Sequence, residues 1–327
     1  MRRAAAIAVP LLLIAWLAAA VVQDRRHARL AASLVRAVNQ RDVARVEALL
    51  RQGADPNARD WATYYRGPEP PFCPPWYEKP LARLMRRRPR PASRYVGPTV
   101  LMIAAHHGDT AIARSLLGRG ADMGKKGSHT EGLNDGIVVD ALGEAVMAGN
   151  VATALLLIQR GTSATVNAKE DGNTTPLMLV NNAEIAAALI RKGADVDAVD
   201  RSGNTPLLMA AGSTIPPDVA RLLLHSGADA NVKNWTGQTP LMQACLELRP
   251  EVVKLLLAHG ADVNLRDRNG NTALMNTTFM RLPELPGDEL KWKQKRRQVQ
   301  KLLIDGGADP GLRDNDGMTA ADYEKEF

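Results

Sequence analysis

Histidine and cysteine are the residues in this chain that could carry metal or nucleophilic chemistry. The six histidines are scattered: His27, His106, His107, His129, His225 and His259. Cys73 and Cys245 lack a second cysteine or a histidine at the spacing of a zinc site, so they are either free thiols or the ends of one long-range disulfide. The G-x-S-x-G, Walker and H-E-x-x-H motifs are absent as well. The sequence therefore predicts no enzyme activity, no metal site and no cofactor.

An internal repeat supplies the elements that must position any binding residues. Its threonines lie 30, 34 and 33 positions apart, at Thr175, Thr205, Thr239 and Thr272. Gly-Ala-Asp triplets echo that spacing at Gly193, Gly227, Gly260 and Gly307. A period near 33 residues over most of the chain predicts a stack of one supersecondary unit, in which each copy contacts its neighbours.

Each motif in the repeat has a local physical role. The Asp-x-x-Gly stretches at 200–203, 267–270 and 314–317 favour a turn, in which glycine adopts a positive φ. The threonine that follows suits a helix N-cap, and Pro206 or Pro240 suits the first helical position. An apolar stripe predicts a second helix, which Gly227 ends.

This unit closely resembles the ankyrin repeat. The resemblance implies an all-α solenoid of helix-turn-helix units with β-turn or hairpin loops. The chain departs from the family where a histidine usually follows Thr-Pro-Leu. That position holds an apolar residue in five units: Met102, Met178, Leu208, Met242 and Met275. Since the usual histidine forms hydrogen bonds within and between repeats, its loss predicts an all-apolar seam.

About seven units and a C-terminal cap account for the chain beyond residue 24. The first unit lies within residues 24–60, and the other units lie within residues 97–327. These are 97–125, a degenerate unit near 138–167, 171–199 (three residues short), 200–233, 234–266, 267–310, and a capping fragment at 311–327. An insertion at 61–96 separates the first two units, and about 14 extra residues lie near 279–293.

Residues 1–23 form a transmembrane anchor or a signal segment. The uncharged run from Ala4 to Val22 is 19 residues long, and as a helix it would reach about 28 Å, close to the thickness of a bilayer core. Ala18-Ala19-Ala20 would instead suit cleavage of a secretory signal. We expect an uncleaved single span, a bacterial source and an exported, periplasmic body. The alternative is a soluble periplasmic protein.

Charge and aromatic residues single out the insertions. The net charge of +7 is concentrated in residues 1–30, 61–98 and 278–301 rather than on one face, which argues against nucleic-acid binding. The insertion at 61–96 carries most of the candidate contact residues: Trp61, Tyr64, Tyr65, Phe72, Trp76, Tyr77, Arg86, Arg87 and Arg88. We expect a rigid binding loop, a loop that folds back on the first repeats, or a loop that does both. Arg83 to Arg94 could also contact anionic lipid.

The turn tips supply the remaining candidates, which are Arg201, Trp235 and Arg268. Trp235 either points to a partner or lies on the neighbouring turn. The basic run from Lys291 to Arg297 is predicted to be an exposed extension of the seventh unit's second helix. His106 and His107 are expected in an exposed turn between two helices.

Together these features predict a non-catalytic scaffold that binds another protein at a membrane, through its concave face, its turn tips and the 61–96 insertion. The membrane contact would be made by residues 4–22. An alternative is an inhibitor or immunity-type protein that neutralises one toxic or lytic protein. A further alternative is binding of anionic lipid or another polyanion through the arginine-rich insertions. No small-molecule substrate is expected.

Overall fold

The computed structural model describes residue 23 and residues 26–60, 97–128, 138–212, 215–279 and 289–326. These residues fall into two compact units, Met1–Leu156 and Leu157–Phe327. The predicted span at 4–22 and the insertion at 61–96 lie outside the described residues, as do residues 280–288 of the second insertion. Within the described ranges, every helix is too short or too polar to cross a bilayer.

The first unit is built from short helices. They are α1 (residues 26–39), α2 (Val43–Arg51), α3 (Val100–His107), α4 (Thr110–Gly118) and α5 (Ala141–Met147), followed by α6 (Val151–Arg160), within which the boundary falls. Two-residue strands, β1 (Gly127–Ser128) and β2 (Val138–Val139), pair antiparallel, and Arg59 bridges to Thr99. Extended pairing in the described chain is thus confined to the loops, and the fold is all-helical, as predicted.

The second unit repeats the same helix-turn-helix pattern. It contains α7 (Ser163–Val166), two 3-10 turns (Asp171–Asn173 and Pro176–Leu179), α8 (Ala183–Arg191), α9 (Pro206–Ala211), α10 (Pro217–His225), α11 (Pro240–Leu246), α12 (Pro250–Ala258), α13 (Ala273–Phe279), α14 (Glu289–Asp305) and α15 (Ala320–Glu326). Each first helix packs on its own second helix and on the next first helix: α9 contacts α10 and α11, and α11 contacts α12 and α13.

The predicted caps and turns are confirmed. The hydroxyls of Thr205 and Thr239 accept hydrogen bonds from backbone N–H groups three residues later, at 3.3 and 3.2 Å. A proline occupies the first helical position after each of them. Gly203 in the turn and Gly227 after the second helix have φ values of +76° and +93°, a region that residues with a Cβ rarely adopt. Local sequence therefore sets where each helix begins and ends.

The apolar seam is also confirmed. The residues that replace the family's usual histidine are at most 3% exposed: Met102, Met178, Leu208, Met242 and Met275. Alanines at the neighbouring first-helix positions, such as Ala210 and Ala244, are buried too. These small side chains let successive first helices approach closely.

The fourth sequence repeat, residues 171–199, shows the structural effect of being three residues short. Pro176–Leu179 forms a 3-10 turn where the other units of this half have an α-helix, and Thr175 makes no side-chain cap hydrogen bond. The chain then runs extended at Val180 and reaches α8, which Asn182 caps. With too few residues for a full first helix, the backbone adopts the tighter helical turn.

The basic run lies on the seventh unit's second helix, as predicted. The helix α14 has 17 residues, whereas α10 and α12 have nine each. Lys291, Lys293, Lys295 and Arg297 are exposed on its N-terminal half. The extra length therefore falls on a charged stretch that projects beyond the ordinary second helix.

Candidate protein-binding surface

Three of the predicted contact residues occupy one position in three consecutive turns. Arg201, Trp235 and Arg268 are each the second residue of their turn, and all three are exposed. Backbone hydrogen bonds join the turns: Trp235 N–H donates to the Ser202 carbonyl at 3.0 Å, and Arg268 N–H donates to the Thr236 carbonyl at 3.1 Å. The turns therefore form a regular row, with the three side chains at its tips.

Asp200 and Asn234 hold two of these turns from inside. The Oδ1 atom of Asp200 accepts from the N–H groups of Ser202 and Asn204, at 2.7 and 2.8 Å. Asn234 uses its Oδ1 in the same way, and its Nδ2 donates to Asn204 Oδ1 at 3.0 Å. Because these hydrogen bonds order the loop backbone, they fix the positions of the Cα atoms that carry the tip side chains.

Trp235 lies on the neighbouring turn and is still 56% exposed. Its Nε1–H donates to the Arg201 carbonyl at 2.8 Å. Its ring covers Gly203, where an added Cβ would come within 2.9 Å of Trp235 Cδ2. The two sequence-based interpretations of Trp235 are therefore compatible: one face of the ring packs on the protein while more than half of the residue stays accessible.

A groove opens between these tips and the first helices α9 and α11. Its volume is about 550 Å³. It is lined by Arg201, Ser202, Asn204, Leu208, Met209, Gly212, Asn234, Trp235, Thr236, Gln238 and Gln243. Met209 and Trp235 supply the apolar surface, since Met209 is 37% exposed. Arg201 is the charged residue among those that line it, and amide side chains make up much of the polar remainder.

Sequence reasoning missed the wall of the groove opposite the tips. Met209 and Gln243 follow their N-cap threonine by four positions, and Asn276 stands there in the seventh unit. In two successive units it holds Met209 and Gln243 between apolar neighbours, which could have marked it as facing away from the core. In the seventh unit Asn276 is buried instead, and its Nδ2 donates to the Met242 carbonyl at 3.3 Å. Gly212 makes room for Gln243, because a Cβ there would meet Gln243 Cγ at 2.3 Å.

The predicted contact residues divide by region. Arg201 and Trp235 line the groove together, and Arg268 lies on the next turn. The nine candidates in the 61–96 insertion lie outside the described residues. Their part in binding stays a prediction.

The expected exposed position of His106 and His107 is wrong. Both residues are half-buried and lie in the last turn of α3, which continues to a left-handed Gly108 at φ +74°. His106 Nδ1 lies 2.7 Å from Glu144 Oε1. Burial raises the pKa of Glu144, and the contact with His106 opposes that shift. A buried carboxyl on α5 thus explains why the histidine turns inward.

Among the described residues, Cys245 is a further candidate for chemistry. Cys245 is a fully buried free thiol, and its burial raises its pKa. Its proposed disulfide partner, Cys73, lies outside the described residues. No group of three histidine, cysteine, aspartate or glutamate side chains is arranged to hold a metal ion among the residues that the structure describes.

Family models for ankyrin repeats match this chain. The model for three ankyrin repeat copies matches residues 142–234 and 216–279, and the model for a single ankyrin repeat matches residues 97–128. The matched ranges hold 138 and 32 residues, together 170 of 327.

Two known proteins are similar to parts of this chain. The nuclear factor NF-kappa-B p105 subunit of Gallus gallus is 33% identical over 119 residues, which are 36% of this chain and 12% of that protein. The crystal structure of the ankyrin repeat domain of Bcl-3, a unique member of the IkappaB protein family, superimposes on this chain with a TM-score of 0.50. It is 23% identical and covers 68% of this chain and 92% of its own. This second likeness concerns the fold alone.

Proposed function

We propose that this chain, which belongs to the ankyrin repeat family, binds a protein partner in the groove between Trp235 and Met209. The fold of that family is typically a non-catalytic scaffold for protein–protein interaction. The observation that carries the proposal is the exposure of these two large side chains, 56% and 37%, on one concave surface.

The chemistry of the groove suits a segment of protein chain. Trp235 and Met209 offer an aromatic and a pliable thioether surface, which are residue types enriched at interface cores. Amide side chains around them can donate to and accept from a partner's backbone. Arg201 at one edge favours a carboxylate on the bound segment. We expect an apolar anchor on the partner, flanked by acidic and polar residues.

The test is capture of the partner by the full-length chain from native membranes, followed by affinity measurement with single variants. Met209→Ala should weaken binding at least tenfold, because it removes one apolar wall of the groove without touching a turn. Val199→Ala is the matched control, since Val199 is 44% exposed and lies outside the groove. Equal affinities for both variants and the parent protein would refute the groove as the binding site.

The number of partners decides between two forms of this function. A general scaffold would retain several proteins, or one with moderate affinity. An inhibitor that neutralises one toxic or lytic protein would form a single one-to-one complex of very high affinity. Calorimetry with the captured partner measures stoichiometry and affinity together.

We further propose that residues 4–22 bring this surface to a membrane. The support is the length and apolarity of that run in the sequence. Alkaline carbonate extraction of cell membranes tests it: an uncleaved span keeps the chain in the pellet, and a cleaved signal releases it. Cleavage would also shorten the chain's N-terminus, which mass spectrometry detects.

A further inference from the structure

The helix α14 carries a second exposed surface, separate from the groove. Positions that recur every three or four residues share one face of a helix. On α14 one such face holds Leu290, Gln294, Arg297, Lys301 and Ile304, all exposed, and we call it the outward face. Val299 and Leu303, fully buried, point the opposite way and attach the helix to the repeat stack.

Two large aliphatic residues stand on the outward face without cover from the described chain. Leu290 is 68% exposed and Ile304 is 46% exposed. They are 14 residues apart, hence about 21 Å along the helix axis. Arg297 and Lys301 lie between them. The face therefore combines apolar ends with a basic centre.

The carboxylates of α14, Glu289 and Asp305, stand at its two ends and outside this basic centre. The segment from Leu290 to Ile304 contains six basic residues and no aspartate or glutamate. The neighbouring second helices differ. On α10, Arg221 pairs with Asp218 at 3.7 Å, and on α12, Lys254 pairs with Glu251 at 3.4 Å. The excess of basic over acidic residues thus distinguishes α14 from these two helices.

We propose that the outward face of α14 docks on an anionic phospholipid surface. A single helix presents a convex face, which has no recess for a partner's anchoring side chain, whereas a bilayer needs none. Leu290 and Ile304 would enter the boundary between head groups and acyl chains, and the basic side chains would reach the phosphates. Clusters of lysine and arginine on an amphipathic helix have this affinity for anionic lipid. The proposal goes beyond partner binding in the groove and does not depend on it.

The experiment places a fluorescent probe on the outward face of the full-length chain. Gln294→Cys, labelled with NBD in a Cys73→Ser background, reports contact with lipid; Cys245 stays unlabelled because it is fully buried. Vesicles of phosphatidylcholine, with or without phosphatidylglycerol, carry doxyl quenchers in their acyl chains. We expect a blue shift and quenching that rise with the phosphatidylglycerol fraction and vanish in high salt. Because the readout is local, insertion of residues 4–22 does not mask it.

Two double variants separate this surface from general attraction. Arg297→Gln with Lys301→Gln should weaken the anionic response about 25-fold, roughly fivefold for each charge removed. Arg221→Gln with Lys254→Gln removes two exposed charges from neighbouring helices and should leave it unchanged. The same label at Ser202, a turn tip, should not respond. Equal responses to neutral and anionic vesicles, or equal losses in both double variants, would overturn the proposal; an acidic protein would then be the better occupant.

Discussion

A ladder of asparagines joins the loops of successive units in Leu157–Phe327, and one rung of it is incomplete. In a full rung, the side-chain oxygen accepts from the N–H of the next Gly-Ala-Asp aspartate, at 2.8–2.9 Å, and the side-chain nitrogen donates to the carbonyl of that triplet's glycine, at 2.8–3.0 Å. Full rungs are made by Asn167, Asn231 and Asn264. Asp197 stands at the same position, and its Oδ1 accepts from Asp229 N–H at 3.2 Å.

Asp197→Asn should therefore stabilise the protein. An ionised carboxylate has no hydrogen to donate, so the Gly227 carbonyl lacks the bond that its counterparts Gly193 and Gly260 receive. Adding that bond contributes about 0.5–1 kcal/mol. Removing the negative charge of Asp197, which lies beside Asp195 and Asp229, adds at most about a few tenths of a kcal/mol on an exposed loop. We expect the free energy of unfolding to rise by about 1 kcal/mol.

Urea unfolding followed by circular dichroism measures the total change, and hydrogen exchange of the Asp229 amide measures it locally. The reverse substitution, Asn231→Asp, is the matched control, because it removes the same bond from a full rung and should cost a similar free energy. If Asp197→Asn leaves stability and exchange unchanged while Asn231→Asp destabilises, the missing bond is not what weakens this rung, and the reasoning fails.

Three more predictions concern other contacts. Arg249→Ala should lower the free energy of unfolding by about 2–4 kcal/mol, because the Arg249 guanidinium donates to three carbonyls at and beyond the end of α9. Arg249→Lys should lower it less. Urea unfolding measures both losses, and equal losses would contradict the argument from hydrogen bonds. Gly203→Ala should lower the free energy of unfolding more than Gly317→Ala does in the same assay. Both glycines have a positive φ, but only a Cβ at Gly203 would meet the Trp235 ring. Equal losses would mean that the Trp235 ring simply moves. The raised pKa of Glu144 means that its contribution to stability is present at low pH and is lost as pH rises from its ordinary value of 4.5 through the folded value. Glu144→Gln should flatten that fall above pH 4.5, and parallel pH profiles of the two proteins would refute it.

The fold was predictable because its determinants are local. A threonine cap, a proline at the first helical position and a glycine with positive φ each act within a few residues, so Thr205, Pro206 and Gly227 could be assigned from spacing alone. The asparagine ladder follows the same period. The spacing could not show the incomplete rung. The side chains of aspartate and asparagine, as at Asp197 and Asn231, differ by one non-hydrogen atom, and both are polar residues that suit a loop.

The groove was only half predictable, for a physical reason. Exposure at a turn tip follows from the turn itself, so Arg201 and Trp235 were identified as candidates. Exposure on a first helix depends on how the neighbouring unit packs, and that packing involves residues about 33 positions away. Met209 reads as one more apolar residue in a helical stripe, yet it lines the groove. His106 was misplaced for the same reason, since its partner Glu144 is 38 positions distant.

The repeats themselves show where specificity can reside. The residues that build each unit recur because the caps, glycines and core alanines allow few substitutes. Between them, the turn tips change from Arg201 to Trp235 to Arg268, and the groove wall changes from Met209 to Gln243. Backbone hydrogen bonds from turn to turn hold the loops in place whichever side chain stands there. The tips and the wall can therefore vary without changing the fold, so partner recognition need not be confined to the 61–96 insertion. Charge reversal at Arg201 or Arg268, or substitution of Met209 or Gln243 in the groove wall, should then alter affinity for the partner while leaving the unfolding midpoint close to that of the parent protein.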